Sequence, residues 1–329
     1  MRVTASPQPP MSRPVLTLLG LLPALVVLAA CAPDEPAADP TLGEPGEEVR
    51  PAEAETPGGD PTPDEPVEDE PGSIELDLAD LPAPGGARYV LWVVAAGQAQ
   101  RMGVLDEPED GRLTGTVTLD GLEPEAIEAV LVAVEGAQIA DEPLTLLGGV
   151  VADGVADLAV EHDAALGAAL DGASGTFLLG SPSDQTAPEQ AGIWFLQVTA
   201  GGTDASLELA PPPEGWVYEA WGTRDGITLS AGRFEAADAS SFDVPHNGPD
   251  PIPSLPGGDF VAQPPDDVEF PWELHGATVA VSLAPADLDP GAPLVIVLKG
   301  DTPDPADHHV DYDLDLSEAR PTGTATIAE

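Results

Sequence analysis

RYVLWVVAAGQAQRMGVL at residues 88–105 and VYEAWGTRDGITLSAGRF at residues 217–234 are two versions of one segment. They align at a constant offset of 129 residues, and each places a glycine, Gly97 or Gly226, where a hairpin must turn. A segment that recurs in this way indicates that the chain repeats one structural unit. The aligned pairs that define the repeat are Tyr89 with Tyr218, Trp92 with Trp221, Gly103 with Gly232, and Leu105 with Phe234.

Alternating apolar and acidic residues predict β-strands around this repeat. In the segment 73–81, isoleucine and leucine alternate with acids, as is typical of a half-buried strand. One short helix is predicted around residues 162–170, with Asp163 as its N-cap. The sequence as a whole therefore predicts an all-β fold, most simply a β-sandwich. The other predicted strands lie at 115–122, 129–134, 205–210, 277–284, 293–298 and 310–316.

The repeat also predicts a domain organisation of two tandem β-sandwich modules. We place the first module at residues 74–200 and the second at residues 201–329, each of a normal size for one domain. The second copy contains extra sequence at about 238–274, rich in proline, aspartate and glycine. We expect this insertion to be a long loop or a decoration at the edge of the sheet.

The spacing Tyr-x-x-Trp constrains the two aromatic residues of each copy. Positions i and i+3 of a strand point to opposite faces, so Tyr89 and Trp92 cannot both face one core unless a bulge shifts the register. We expect one ring to fill the sandwich and the other to cover an edge, and the same for Tyr218 and Trp221. A role in stacking on a ligand is the alternative interpretation.

At these residues the sequence resembles the extracytoplasmic C-terminal domain of anti-sigma-K-type factors. The resemblance implies an immunoglobulin-like β-sandwich. It does not imply anti-sigma activity, because in that family this activity belongs to a cytoplasmic helical domain followed by a membrane helix, and here we expect a lipid signal instead. The matching residues are Tyr89, Leu91, Trp92, Gly103, Val132, Val134 and Glu135 in the first copy, and Tyr218, Trp221, Gly232 and Phe234 in the second.

An apolar run at residues 15–30 follows Arg13 and precedes the single cysteine of the chain, Cys31. The run is shorter than the ~20 residues that a membrane-spanning helix needs, and it is typical of a signal peptide. Residues 28–31, Leu-Ala-Ala-Cys, resemble the lipobox of bacterial lipoproteins. This resemblance implies cleavage between Ala30 and Cys31 and a covalent lipid on Cys31. A plain secretory signal is the alternative, and either Met1 or Met11 can be the start.

The predicted signal peptide, residues 1–30, is followed by an acidic, proline-rich tract at residues 31–73. A tract so poor in large apolar groups cannot offset the entropy of folding, so we expect a disordered linker that holds the folded part away from the membrane. Ala32 follows the cysteine, which in the lipoprotein family favours the outer membrane of a two-membrane envelope. We therefore expect an exported protein anchored to a membrane by lipid, with the outer membrane favoured.

The charge of the chain restricts its partners. It has 59 acidic residues against 10 lysines and arginines, a formal net charge of −49. Nucleic acid is excluded as a partner, because phosphate contacts require a basic surface. With one cysteine, the chain has no intramolecular disulfide.

The best candidate for a metal site is His308-His309 within the segment 304–315. In a strand, Asp311, Asp313 and Asp315 would share one face, and three carboxylates beside an imidazole are ligands for calcium or zinc. The alternative is a solvated face of a strand in a very acidic protein, and we expect no cofactor other than the lipid on Cys31. The sequence lacks the Gly-x-Ser-x-Gly, His-Glu-x-x-His and EF-hand patterns.

These observations predict a lipid-anchored envelope protein without enzymatic activity. Its expected role is protein binding, scaffolding or surface interaction through the two sandwich modules, with an envelope protein as partner. An extracytoplasmic sensor or an accessory module related to anti-sigma factors is the alternative. A hydrolase with a dispersed site is a third interpretation, because a catalytic triad assembled from distant residues leaves no local pattern.

Overall fold

The computed structural model describes residues 72–138 and 141–328. The signal peptide, Cys31 and almost all of the linker lie outside this part of the chain. In the first strand, buried and exposed side chains alternate as the sequence predicts: the leucines and the isoleucine are buried and the acids are exposed. The prediction of an all-β fold is confirmed.

The described residues form nineteen strands and two short 3-10 helices at Pro124–Ala126 and Gly167–Leu170. The strands are β1 Ser73–Ala79, β2 Arg88–Ala95, β3 Gln98–Val104, β4 Leu113–Thr118, β5 Ile127–Glu135, β6 Thr145–Val150, β7 Val155–Ala159, β8 Ser174–Leu179, β9 Gly192–Trp194, β10 Leu196–Thr199, β11 Gly202–Ala205, β12 Leu207–Glu208, β13 Trp216–Arg224, β14 Ile227–Phe234, β15 Gly257–Asp259, β16 Thr278–Pro285, β17 Val295–Asp301, β18 Tyr312–Leu316 and β19 Thr322–Ala328.

Two large antiparallel sheets contain most of these strands, and each curves into a nearly closed sandwich. The first has the order β3-β2-β5-β6-β7-β19-β1-β4. The second has the order β14-β13-β16-β17-β18-β8-β9-β15, with β12 paired to β8. Strands β10 and β11 form a separate two-stranded ribbon.

The sheets do not follow the order of the chain. The last strand, β19, lies in the first sheet between β7 and β1. Conversely, β8 and β9 belong to the second sheet, where β8 pairs with β18. Each sheet therefore takes strands from both sides of residue 200, the position at which the sequence places the boundary between modules.

The repeated segment forms the same hairpin twice. The turns at Ala96-Gly97 and Asp225-Gly226 have positive φ at both residues, as the tight type I′ turn requires. The register shifts by one residue between Leu91 and Trp92 in the β2–β3 pair and at the corresponding position, before Trp221, in the β13–β14 pair. Two distant segments thus share turn type, register and bulge.

The tyrosine and the tryptophan of each hairpin lie on opposite faces of the sheet. Tyr89 and Tyr218 are fully buried in the main apolar core, and their hydroxyls donate to the carbonyls of Pro82 and Ala210 at 2.9 and 2.8 Å. Trp92 belongs instead to a separate apolar cluster on the other face, which we call the outer face. The opposite orientation follows from the alternation along a strand.

Two local predictions need correction or refinement. The helix predicted at 162–170 exists only as the 3-10 turn Gly167–Leu170, whose N-cap is Leu166, without a side-chain cap from Asp163. The insertion at 238–274, expected as a long loop or an edge decoration, contributes β15, the edge strand of the second sheet. Among the described residues, no helix has the length and apolar character needed to cross a membrane.

Candidate functional site

The structure separates the residues of the candidate metal segment. His309 precedes β18, and its Nε2 lies 3.6 Å from Glu189 in an apolar cleft bordered by Trp194. Asp313 lines a different cleft together with Lys299. His308 contacts His309, with 3.3 Å between their Nδ1 atoms, and Asp311 is exposed directly before β18. No group of three or more potential metal ligands is assembled within the described parts of the chain.

The strongest candidate site is a cleft of about 580 Å³ on the outer face of the second sheet. We call it the outer-face cleft. Its floor comes from the repeated hairpin β13–β14, and its walls come from the insertion and from the loop after β16. Its lining residues are Glu219, Trp221, Thr228, Leu229, Ser230, Arg233, Asp243, Val244, Pro245, His246, Asp289 and Gly291.

A buried carboxylate lies at the floor of this cleft. Glu219 is only 2% exposed, and its Oε1 accepts a hydrogen bond from Ser230 Oγ at 2.7 Å. Its Oε2 lies 3.3 Å from Arg233 Nε but has no hydrogen-bond partner. Burial raises the pKa of Glu219, and the contacts with Ser230 and Arg233 oppose this effect only in part.

Arg233 is held in place by the backbone of the loop after β16. Its side chain is almost completely buried, and its Nη2 donates to the carbonyl of Leu288 at 2.8 Å. Asp289, which is largely exposed, lies 3.8 Å from the same nitrogen. The guanidinium is therefore ion-paired with Glu219 and hydrogen-bonded to the backbone of this loop.

The first repeat has no such pair at the corresponding place. Val90 on β2 is opposite Val104 on β3, in the register in which Glu219 is opposite Arg233. The first hairpin has its own ion pairs further along the strand, where Arg88 and Arg101 contact the buried Glu135, a residue of the adjacent β5. The fold of the hairpin therefore does not require a charged pair at the position of Glu219.

The wall that includes His246 is fixed by a buried polar network. Asp259 on β15 accepts from the backbone N–H and the hydroxyl of Ser183 at 2.7 and 2.5 Å, and from Trp194 Nε1 at 2.7 Å. Its own backbone N–H donates to Asn247 Oδ1 at 2.7 Å, next to His246 in the chain. These bonds tie the insertion to the second sheet, so the wall of the cleft is preorganised.

His246 itself is half-buried. Its Nδ1 lies 3.0 Å from the carbonyl oxygen of Gln263, and its ring meets Phe270 edge-on, with 5.2 Å between ring centroids. Burial lowers the pKa of His246, because the charged form loses hydration. The remaining ionisable side chains of the lining are three acids and Arg233, so the cleft carries a negative excess.

Sequence reasoning singled out Trp221 in this cleft but missed Glu219 and Arg233. The signal that identifies them was present, since the two copies align position by position. In the alignment, the charged pair of the second copy corresponds to an apolar pair in the first copy, and Ser230 corresponds to Arg101. What the alignment lacks is the insertion, which encloses these residues in a cleft.

Lowering the pH is expected to stabilise the protein in part through Glu219. Because burial raises its pKa in the folded state, the folded protein binds this proton more tightly than the unfolded chain. That stabilisation is complete below the unfolded-state pKa of about 4.3 and is lost as the pH rises through the raised folded-state pKa. Thermal unfolding at a series of pH values should show a steeper rise of Tm on acidification for the wild type than for Glu219→Gln. The control Glu75→Gln, at an exposed acid on β1, should keep the wild-type slope, and equal slopes for all three proteins would contradict the prediction.

No protein family, curated protein or solved structure matches this chain.

Proposed function

We propose that this protein is an exported, lipid-anchored binding protein without enzymatic activity, which presents the outer-face cleft to a partner in the cell envelope. The observation that carries the proposal is the exchange of an apolar pair for a buried charged pair. Val90 and Val104 of the first repeat correspond to Glu219 and Arg233 in the second. A buried ion pair is on average no more stabilising than apolar residues of similar size, so its presence in a cleft is better explained by recognition.

The anchor in this proposal rests on the sequence around Cys31. The lipobox resemblance supplies an attachment point, and the acidic linker supplies reach. At ~3.1 Å per residue in an extended proline-rich conformation, a linker of this length spans up to ~130 Å. The folded part would thus be free to meet proteins at some distance from the membrane.

The cleft favours binding over hydrolysis. The Oε1 atom of Glu219 is already bonded to Ser230, and the carboxylate is ion-paired with Arg233. His246 Nδ1 is engaged by a backbone carbonyl rather than by a serine or a carboxylate. A general base needs a free path to the proton that it removes, and a nucleophile needs a base within hydrogen-bond distance. Ser230 does lie within hydrogen-bond distance of the Glu219 carboxylate, but the ion pair with Arg233 weakens that carboxylate as a base, since it lowers the pKa of Glu219.

The test is cross-linking in cells. Because the chain has a single lysine, a reagent that joins its carboxylates to amines of a neighbour suits it best. We expect one stoichiometric envelope partner in the wild type and its loss in Thr228→Arg, which fills the cleft from β14.

The matched control is Ala99→Arg, which introduces arginine at the corresponding, exposed position of the first repeat and should retain the partner. Cross-links confined to the chain itself, or a partner captured equally by both variants, would show that the cleft is not the binding site.

A further inference from the structure

We propose that His308 and His309 form a zinc site, in which the two Nδ1 atoms bind one Zn²⁺ ion and water completes its coordination. The two residues lie in the connection between β17 and β18. They share no residue with the outer-face cleft, so this inference does not rest on the proposed function. Asp313 takes no part in it, because that side chain lines the cleft of Lys299.

The distance between the two ring nitrogens matches the separation of two ligands on a tetrahedral ion. His308 Nδ1 and His309 Nδ1 are 3.3 Å apart. Zinc binds imidazole nitrogen at about 2.0–2.1 Å, so an ion equidistant from the two atoms would have an N–Zn–N angle of about 104–111°, which includes the tetrahedral value. Two rings bound in this way would have their centroids about 5 Å apart. The observed distance between the centroids is 4.7 Å, so the rings need little rearrangement.

The carboxylate of Glu189 orients the His309 ring from its other side. Its Oε2 lies 3.6 Å from His309 Nε2 and accepts a hydrogen bond from the backbone N–H of Ser181 at 3.2 Å. A carboxylate beside one ring nitrogen keeps the proton on that nitrogen, and the other nitrogen then has a lone pair for a metal. Glu189 therefore has the role that carboxylates have behind the histidines of zinc sites.

The loop that carries the two histidines is fixed by hydrogen bonds. The backbone N–H of His309 donates to the carbonyl of Leu179, at the end of β8, at 3.0 Å. The hydroxyl of Tyr312 accepts from the N–H of Asp307 at 2.9 Å and donates to the carbonyl of the same residue at 2.8 Å. The φ angle of His309 is 56°, a value that is uncommon for residues other than glycine and that recurs at functional sites. The backbone thus presents both rings in a defined arrangement.

Solvent exposure and ligand chemistry select the ion. The His309 side chain is 55% exposed and His308 is exposed as well, so an ion reaches the rings directly from solvent. Imidazole nitrogen is a ligand for zinc, copper and nickel, whereas calcium and magnesium prefer oxygen. The tetrahedral separation of the two nitrogens favours zinc among the first three. Two protein ligands leave two positions for water, which distinguishes this site from a closed structural zinc centre.

The test is calorimetric titration of the detergent-solubilised full-length protein with zinc chloride near neutral pH, in the presence of millimolar calcium chloride. Calcium occupies carboxylates of this acidic chain but does not compete for imidazole nitrogen. The same titration with ¹⁵N-labelled histidine, followed by NMR, identifies the nitrogens that bind. We expect one zinc ion on a pair of the five histidines, with shifts at their Nδ1 atoms. Acidification should release the ion, because zinc binds only neutral imidazole.

Variants locate the ion. Glu189→Gln should weaken zinc binding about tenfold, and His308→Ala or His309→Ala at least as much. The two alanine changes together should weaken binding no further, because a single imidazole cannot chelate the ion. In Glu189→Gln the proton of His309 should no longer be confined to Nε2, which the NMR experiment detects. The controls Asp311→Asn, at an exposed acid beside the site, and His162→Ala, at a histidine elsewhere, should keep the wild-type affinity.

Three results would overturn the inference. They are a wild type that binds no zinc at millimolar concentration, wild-type affinity in both alanine variants, and a zinc-dependent shift in only one imidazole. None of them bears on the outer-face cleft, whose test is the loss of the partner in Thr228→Arg.

Discussion

Replacing Arg233 with methionine is expected to lower the free energy of unfolding by about 3–5 kcal/mol, because the change leaves the charge of Glu219 buried without its partner. Both side chains are almost completely buried, and Arg233 Nε lies 3.3 Å from Glu219 Oε2. Methionine retains much of the volume of the arginine stem, so the decrease in the free energy of unfolding reflects the lost charge more than lost packing. Urea unfolding followed by tryptophan fluorescence measures the change.

The first repeat supplies the control for this experiment. The double variant Glu219→Val, Arg233→Val introduces the pair that Val90 and Val104 form in the first hairpin. Replacing a buried ion pair by apolar residues is often neutral or stabilising, so we expect this variant to be within about 1 kcal/mol of the wild type or more stable. If the double variant is as unstable as Arg233→Met, the volume of the pair, and not its charge, stabilises the hairpin.

Replacing Cys31 with alanine is expected to move nearly all of the protein from the membrane fraction to the soluble fraction. Each buried methylene of an acyl chain contributes about 0.8 kcal/mol to membrane binding, and two or more chains give a stable anchor that disappears with the thiol. Direct attraction does not replace it, because a formal net charge of −49 is repelled by anionic lipid heads. Membrane fractionation followed by quantitative immunoblotting measures the distribution.

The control for the anchor is Ala32→Ser, which keeps the cysteine and changes only the next residue. It should stay in the membrane fraction, as the wild type does. Retention of Cys31→Ala in the membrane after a high-salt wash would show that another part of the chain attaches it, and would contradict the lipid anchor.

The two repeated hairpins show why part of this fold could be read from the sequence. A tight turn with positive φ at two positions favours residues such as Asp-Gly, and the chain places Gly97 and Gly226 there. Alternation along β1 sets which side chains are buried, because neighbours on a strand point to opposite faces. Both effects act within a few residues, so a local pattern is sufficient to predict them.

The candidate metal segment shows what local patterns leave open. His309 and Asp313 are four positions apart, and the sequence treated them as parts of one potential site. A turn with positive φ at His309 separates them, so that the histidine borders the cleft of Trp194 and the aspartate borders the cleft of Lys299. The direction of a side chain next to a turn depends on backbone angles that neither residue type specifies alone.

The sequence by itself determined the all-β class, the repeated hairpin and the residues that alternate between core and surface, since each depends on turn chemistry or on the period of a strand. Only the tertiary structure decided that β19 lies in the first sheet, that β8 and β9 lie in the second, and that the insertion encloses Glu219 in a cleft. Pairing between distant strands depends on which edges remain open after the nearer strands have paired, and on the burial that each alternative achieves. That choice is a property of the whole folded chain, and the cleft exists only as its consequence.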